Sequence, residues 1–169
     1  MDYILDRLPR SEYDIFSDAS TTWGIGGCCG RFYFATPWCH LKQFDTGLIA
    51  QKELFAAVVA LFCFRHTIRG RLTILHTDNT NAHDWLMSGR SPHYLGNNYL
   101  MAFELIKYVA ECKISVCWIP SAANRTADAL SRGRVPNWLL RHGERCIVDY
   151  KQLKRYLDDP MEMWRKTLG

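Results

Sequence analysis

The chain has 169 residues, 48% apolar and 22% charged, enough for one domain with a full core and too few to expect a second. This composition argues against disorder. No apolar run reaches the roughly 18 residues that span a bilayer, and Asp2 and Asp6 stand where a secretion signal would be basic and then apolar. A non-membrane, intracellular protein without a secretion signal, cytoplasmic or nuclear, is therefore expected. The net charge of +4 permits a polyanionic partner without demanding one. Seven cysteines, an odd number without a C-x-x-C pair, favour reduced thiols over a disulfide scaffold, and Cys39-His40 lacks a second pair with which to build a zinc site.

Residues 1–12 read as a lead-in in which Tyr3, Ile4 and Leu8 can pack. Residues 13–18 read as a strand that ends in Asp18. Trp23 to Cys29 is a glycine-rich strand, and glycine there marks a bulge or a close backbone approach. Arg31 to Ala35 is a third strand stopped by Thr36-Pro37, which completes an antiparallel meander with short turns. After a loop with Trp38 and Phe44, a helix is predicted from about Leu48 to His66. Apolar residues cover most of its circumference, so it should be the buried central helix, and Glu53 is the conspicuous acid within it.

Leu72 to Thr77 is a fourth strand with Asp78 at its end. Short and long helices follow, over Asn79–Met87 and over residues 95–112. Lys113 to Ile119 is a fifth strand whose alternation groups Ile114, Val116 and Trp118, and Pro120 stops it. Asn124 is a suitable N-cap for a helix through Arg132. Asp149 to Asp158 forms an amphipathic helix closed by Pro160. The order predicts an α/β fold with a five-stranded mixed sheet, three antiparallel strands then two parallel, and helices on both faces. Asp18 and Asp78 both end strands, where they can face one crevice.

Asp18, Glu53, Asp78 and Asp128 are the candidate catalytic and metal-ligating residues. Four carboxylates in one pocket repel one another unless cations neutralise them. Two hard cations with oxygen ligands, Mg²⁺ or Mn²⁺, can activate water and stabilise a leaving oxygen in phosphodiester cleavage. Each acid also has an ordinary reading: Asp78 as a turn residue or cap, Asp128 as a dipole-favoured acid in a first turn, Glu53 as the partner of Arg65, Arg71 or a basic tail residue.

At these residues the chain resembles the ribonuclease H domain of retroelement reverse transcriptases. The matches are Phe16-Ser17-Asp18-Ala19-Ser20 with Trp23-Gly24, Glu53-Leu54, Thr77-Asp78-Asn79, and Ile119-Pro120-Ser121 with Asn124 and Ala127-Asp128-Ala129-Leu130-Ser131-Arg132. The last segment is most similar to DIRS-type retrotransposons and the hepadnavirus polymerase. The motifs run in the family's order across about residues 12–134. The resemblance implies a ribonuclease H-like domain over residues 1–134, with 135–169 a helical extension docked on it. It implies hydrolysis of the RNA strand of RNA/DNA hybrids, leaving 5′-phosphate and 3′-hydroxyl ends, with two Mg²⁺ or Mn²⁺ ions as cofactors and an attached polymerase domain as partner. It also implies that Asp18 bridges both metals, that Glu53 and Asp78 ligate one and Asp128 the other, and that Glu53 lies near the ribose 2′-hydroxyl, the group that distinguishes RNA from DNA.

Three departures stand out. The histidine that many members carry before the last aspartate is missing, with Trp118 in that region; the hepadnavirus-like pattern also lacks it. The connection from Trp85 to Tyr94 is too short for the extra basic helix of cellular enzymes, and residues 135–169 match no motif of the family. Candidate substrate contacts are Ser20, Asn79 and Asn81 beside the acids, and Arg90, Arg125, Arg132 and Arg134 toward phosphates. The rival readings are a non-cleaving nucleic-acid- or protein-binding module on the same fold, and a nuclease or recombinase that acts on DNA.

Overall fold

The computed structural model describes residues 7–44 and 46–168. Tyr3 and Ile4 of the expected lead-in, with Asp2 and Asp6, lie outside the described residues. Strands β1 (Ile15–Ala19), β2 (Gly24–Cys29) and β3 (Phe32–Pro37) form the antiparallel meander, in a register that sets Asp18 opposite Gly26 and Cys28 opposite Tyr33. Gly30 makes the β2–β3 turn at φ +61°, a left-handed conformation that favours glycine. β4 (Leu72–Thr77) joins the other side of β1 in parallel, and β5 (Lys113–Trp118) pairs in parallel with β4.

Among the described residues the sheet has six strands in the order β5-β4-β1-β2-β3-β6, one more than the five expected. The extra strand β6 (Glu144–Arg145) lies parallel to β3. Two exposed charged residues carry no apolar alternation, so side-chain pattern cannot announce such a strand. Backbone bonds define it, from Glu144 N–H to Arg31 O (2.8 Å) and from Cys146 N–H to Tyr33 O (2.7 Å).

Among the described residues, seven α-helices accompany the sheet: α1 (Ile49–Phe64), α2 (Thr80–Ser88), α3 (Tyr94–Val109), α4 (Arg125–Ser131), α5 (Asn137–His142), α6 (Tyr150–Asp158) and α7 (Pro160–Leu168). Alternate strand residues face opposite layers. Ile15, Ala19, Ile25, Cys29 and Phe34 join the main core with α1, whereas Cys28, Tyr33, Ala35 and Phe16 pack with Leu130 of α4 and Leu139 of α5. Helices thus cover both faces. α1 has no single apolar stripe because it lies between the sheet and α3, and Leu54, Phe55, Val58, Leu61 and Phe64 are all removed from solvent. No helix among the described residues is long and apolar enough to cross a membrane.

Two local expectations are corrected. Pro160 does not merely close α6; it opens α7, where a first-turn proline forfeits no helical hydrogen bond. Trp118, grouped with Ile114 and Val116 by alternation, is 45% exposed, because β5 is an edge strand.

Residues 135–168 are mostly helical and pack on both layers. Leu153, Tyr156 and Leu157 of α6 enter the main core, the Tyr150 hydroxyl hydrogen-bonds Thr36, and the Tyr156 ring meets Phe62 edge-on at 6.0 Å. Asp149 caps α6 by accepting the Gln152 N–H at 3.0 Å. Leu153 is fully buried. Leu153→Ala should cost about 2–5 kcal/mol. It should lower the thermal midpoint by roughly 5–15 °C in one cooperative transition. A calorimetric scan checks this; a second, early transition with an unchanged main one would show the tail to be a separate unit.

Candidate metal centre

The geometry of the centre follows from strand order. β1 and β4 run side by side in the same direction, so Asp18 near the end of one and Asp78 just beyond the other emerge together. Glu53 comes from α1 on the main-core face, with the Ala19 backbone N–H the one nearby group that favours its charged form over burial and the neighbouring acids. Oxygens of Asp18, Glu53 and Asp78 all lie within 4.8 Å of one another. Asp18 and Glu53 are 4% and 5% exposed, and Asp78 is partly buried. Among the described residues, this is the one group of three or more acids, histidines or cysteines so placed. The fourth candidate, Asp128, is at the rim: its carboxylate is 41% exposed and accepts Arg132 Nε at 3.2 Å. It remains near enough for its charge to act on Asp18.

Burial and repulsion dominate the electrostatics. Burial, with the adjacent Asp78 charge, pushes the Asp18 pKa well above the usual carboxylate range. Glu53 is raised further, by burial first and then by Asp18 and Asp78. Burial and the neighbouring carboxylates therefore favour the protonated form of Glu53 in the metal-free protein. Glu53 Oε2 is buried with no hydrogen-bond partner. The salt-bridge alternative for Glu53 is not what forms at Arg65, which binds Phe62 O (2.6 Å) and Gln152 Oε1 (3.4 Å) instead. A buried, unpartnered carboxylate oxygen beside two further carboxylates is an all-oxygen donor set, which suits a hard divalent cation. These three acids can hold a metal ion.

Three supporting residues were not singled out for this role by sequence. Ser131 Oγ lies 3.0 Å from Asp18 Oδ2 and 2.7 Å from Asp128 O, so one hydroxyl ties Asp18 to α4. Trp118 Nε1 donates to Asp78 O at 3.1 Å and fixes the main chain that carries this acid. Asn124, expected as an N-cap, makes no side-chain cap bond. It is 1% exposed, and its amide instead donates to Ser17 O at 3.0 Å, which straps the start of α4 to β1. The approach of α4 also depends on Gly26, opposite Asp18, because a Cβ there would lie 2.4 Å from Leu130 Cβ and 2.6 Å from the Leu130 carbonyl carbon. The glycine-rich strand was the legible signal for this close approach. For the other three, no local pattern marks a side chain whose partner is distant in sequence.

The candidate substrate residues divide. Ser20 is buried, its hydroxyl donating to Ser131 O (2.6 Å) and accepting from the N–H groups of Trp23 and Gly24. It builds the β1–β2 turn. Asn79 caps α2 by accepting the Ala82 N–H at 2.9 Å, and Asn81 is exposed on the first turn beside Asp78. Arg90 is exposed beyond the far end of the nine-residue α2, a helix length of ~13 Å from the acids. Arg125 is exposed and donates to Ala122 O, and Arg132 is held by Asp128. No helix separates α2 from α3, in keeping with the short connection seen in the sequence.

A carboxyl group whose pKa is higher in the folded than in the unfolded chain binds more protons when folded, so stability falls as pH rises. Without divalent cations, the thermal midpoint should fall by several degrees as pH rises from roughly 4 through 8, the unfolded reference being the ordinary carboxylate pKa. Glu53→Gln should flatten that dependence and raise the metal-free midpoint at pH 8. Mg²⁺ should restore the midpoint of the wild type and not of Glu53→Gln. Scanning calorimetry with and without chelator checks all three, and a midpoint independent of pH and Mg²⁺ would mean that the acids do not repel as described. Compared with protein-family models, curated proteins and solved structures, the chain matches none of them.

Proposed function

We propose that this chain is a metal-dependent endoribonuclease that hydrolyses the RNA strand of RNA/DNA hybrids, a ribonuclease H domain from, or derived from, a reverse transcriptase. The observation that carries this reading is the convergence of Asp18, Glu53 and Asp78 around a buried carboxylate oxygen without a partner. The strand order β3-β2-β1-β4-β5 is compatible with a ribonuclease H-like fold, and the acids occur in the order the resemblance requires. RNA/DNA hybrid is the substrate, and a polymerase domain supplies binding that a short α2–α3 connection does not.

Asp18, Glu53 and Asp78, with Asp128 from the rim, would hold two divalent cations, Mg²⁺ or Mn²⁺, which supply an activated water and neutralise charge at the leaving oxygen. The chain's own groups prepare the site for them. Ser131 fixes the plane of Asp18, and Trp118 fixes the backbone at Asp78. Glu53 would be held as a carboxylate once a cation offsets the neighbouring charges, and the family resemblance would set it near the ribose 2′-hydroxyl. Asp128, now paired with Arg132, would be available to a cation, and Arg132 would then be a charge-assisted donor for a phosphate oxygen. In the proposed reaction a water oxygen would bond to phosphorus as the bond to the 3′-oxygen breaks, one water proton would leave to solvent and the 3′-oxygen would take up a proton, giving a 5′-phosphate and a 3′-hydroxyl.

End-labelled RNA/DNA hybrid, duplex DNA and duplex RNA, each with Mg²⁺ or Mn²⁺, provide the test. Only the RNA of the hybrid should be cut, and Asp78→Asn should reduce cutting to background. Ser131→Ala keeps every acid and should lower metal affinity or turnover by about 10–100-fold. Hybrid bound without divalent cations and never cut would support a binding module instead, and cutting of duplex DNA would support the DNA-acting rival. A folded protein that binds no divalent cation would end the metal-centre reading.

A further inference from the structure

On the layer of the sheet that α4 and α5 cover, the approach to β1 and the β2–β3 turn face the start of α4 and Trp138 of α5 across a pocket of about 530 Å³. That size falls within the roughly 300–1,000 Å³ of small-molecule sites. Two exposed aromatic side chains line it, Tyr13 and Trp138, 48% and 45% accessible, together with two arginines, Arg31 and Arg125. None of Asp18, Glu53, Asp78 and Asp128 is in the lining. Tyr13 lies so close over the β2–β3 turn that a Cβ on Gly30 would stand 2.6 Å from its ring. Arg125 Nε donates to Ala122 O at 3.1 Å, which holds the guanidinium at the wall, and Arg31 makes an exposed 3.6 Å ion pair with Glu144. Asp14 is the one carboxylate of the lining, and both its oxygens are engaged, Oδ1 by Arg10 at 3.0 Å and Oδ2 by His76 at 2.9 Å. Asn124 gives its amide to Ser17 O, and its Oδ1 is the one buried side-chain polar atom among the described residues of the lining that lacks a hydrogen-bond partner.

We propose that this pocket binds a nucleoside phosphate, with the base against the rings of Tyr13 and Trp138 and the phosphate met by Arg31 and Arg125. The flat faces of tyrosine and tryptophan take any base by stacking. A guanidinium matches phosphate oxygens with paired N–H donors. The charge balance favours an anion, because two arginines stand in the lining against one carboxylate that Arg10 and His76 already answer. An uncharged apolar ligand would leave the arginines without a partner, and a bare phosphate would leave both rings open. A donor N–H from the edge of a base at the Asn124 wall would offset the cost of its unpaired oxygen. The ligand is a free nucleotide or one nucleotide of a single strand, which present the same base and phosphate. A base paired within a duplex is stacked on its neighbours and cannot lie against these rings, so the pocket is not a second grip on a hybrid. Its β1 wall begins before Ile15, at the end of the strand opposite Asp18. The inference stands whether or not the chain cuts RNA.

The test uses the full chain in chelator, so that no divalent cation at the acids can recruit phosphate. Adenosine 5′-monophosphate is titrated while backbone amide and indole signals are followed by NMR, beside adenosine, ribose 5-phosphate and a short single-stranded oligoadenylate. Saturable shifts centred on Tyr13, Arg31, Arg125 and the Trp138 indole are expected. The nucleotide should bind about tenfold or more tighter than either adenosine or ribose 5-phosphate, and Trp138→Ala and Arg31→Gln should each weaken it by about tenfold. An oligoadenylate that binds more tightly than the mononucleotide assigns the pocket to a single strand, and one that binds no better assigns it to a free nucleotide. No saturable shift up to about 10 mM nucleotide, shifts that map to another surface, or ribose 5-phosphate binding as tightly as the nucleotide overturns the inference. The map of the unmutated chain decides the matter even if a variant fails to fold. The response of the thermal midpoint to Mg²⁺ reads the acids separately, so failure at one site leaves the other standing.

Discussion

Three carboxylates held within a few ångströms of one another, two of them nearly cut off from water, are the constraint to which the rest of this structure answers. Burying an ionised group costs several kcal/mol after relaxation. Something must hold α1 against the sheet despite that cost. Leu54, Phe55, Val58, Val59, Leu61, Phe62 and Phe64 do so, wrapping the helix in apolar contact on all sides. Each such side chain contributes roughly 1.5–3 kcal/mol when fully buried. An amphipathic helix on the surface could rotate to release Glu53 to solvent. A helix buried around its circumference cannot, and that makes the acid a fixed ligand rather than a mobile one.

The legible part of the architecture was the part written in side-chain periodicity. The meander, the buried helix, and strands β4 and β5 ending near Asp78 and Pro120 announce themselves through apolar runs and breakers, because burial selects those residues position by position. The acids were legible for a related reason: a carboxylate inside an apolar helix or at a strand end contradicts its surroundings. What escaped is held by backbone bonding or by remote partners. β6 is two charged residues recruited by the edge of β3. Asn124 looks like a helix cap from its neighbours, yet its amide is claimed by Ser17 from across the sheet. Trp118 follows the alternation of its strand, but lies on an edge where its indole can turn to the Asp78 carbonyl.

The second layer explains why the centre has a rim as well as a core. α4 is a seven-residue helix, too short to hold itself together, and it is fastened at both ends. Asn124 ties its start to β1, and Ser131 ties its finish to Asp18, while Gly26 lets its backbone approach the strand between. Asp128 rides on this fastened helix with its charge answered by Arg132. Two acids are thus fixed by burial and one by an exchangeable exposed ion pair, a difference in environment that separates their tasks even though the side chains are alike.

The recruitment of β6 has a consequence for how the molecule is made. Synthesis runs from the N-terminus, and β3 is complete long before Glu144 and Arg145 leave the ribosome. Throughout that interval the outer side of β3 offers unpaired N–H and C=O groups, and the pocket of Phe62 and Phe44 awaits Tyr156 and Tyr150. The nascent chain therefore carries a sticky margin that residues 144–157 later cover, and pairing of such distant segments is slow to form. These residues close the open side of β3 after the earlier strands have formed, and losing them would leave those strands exposed to other nascent chains.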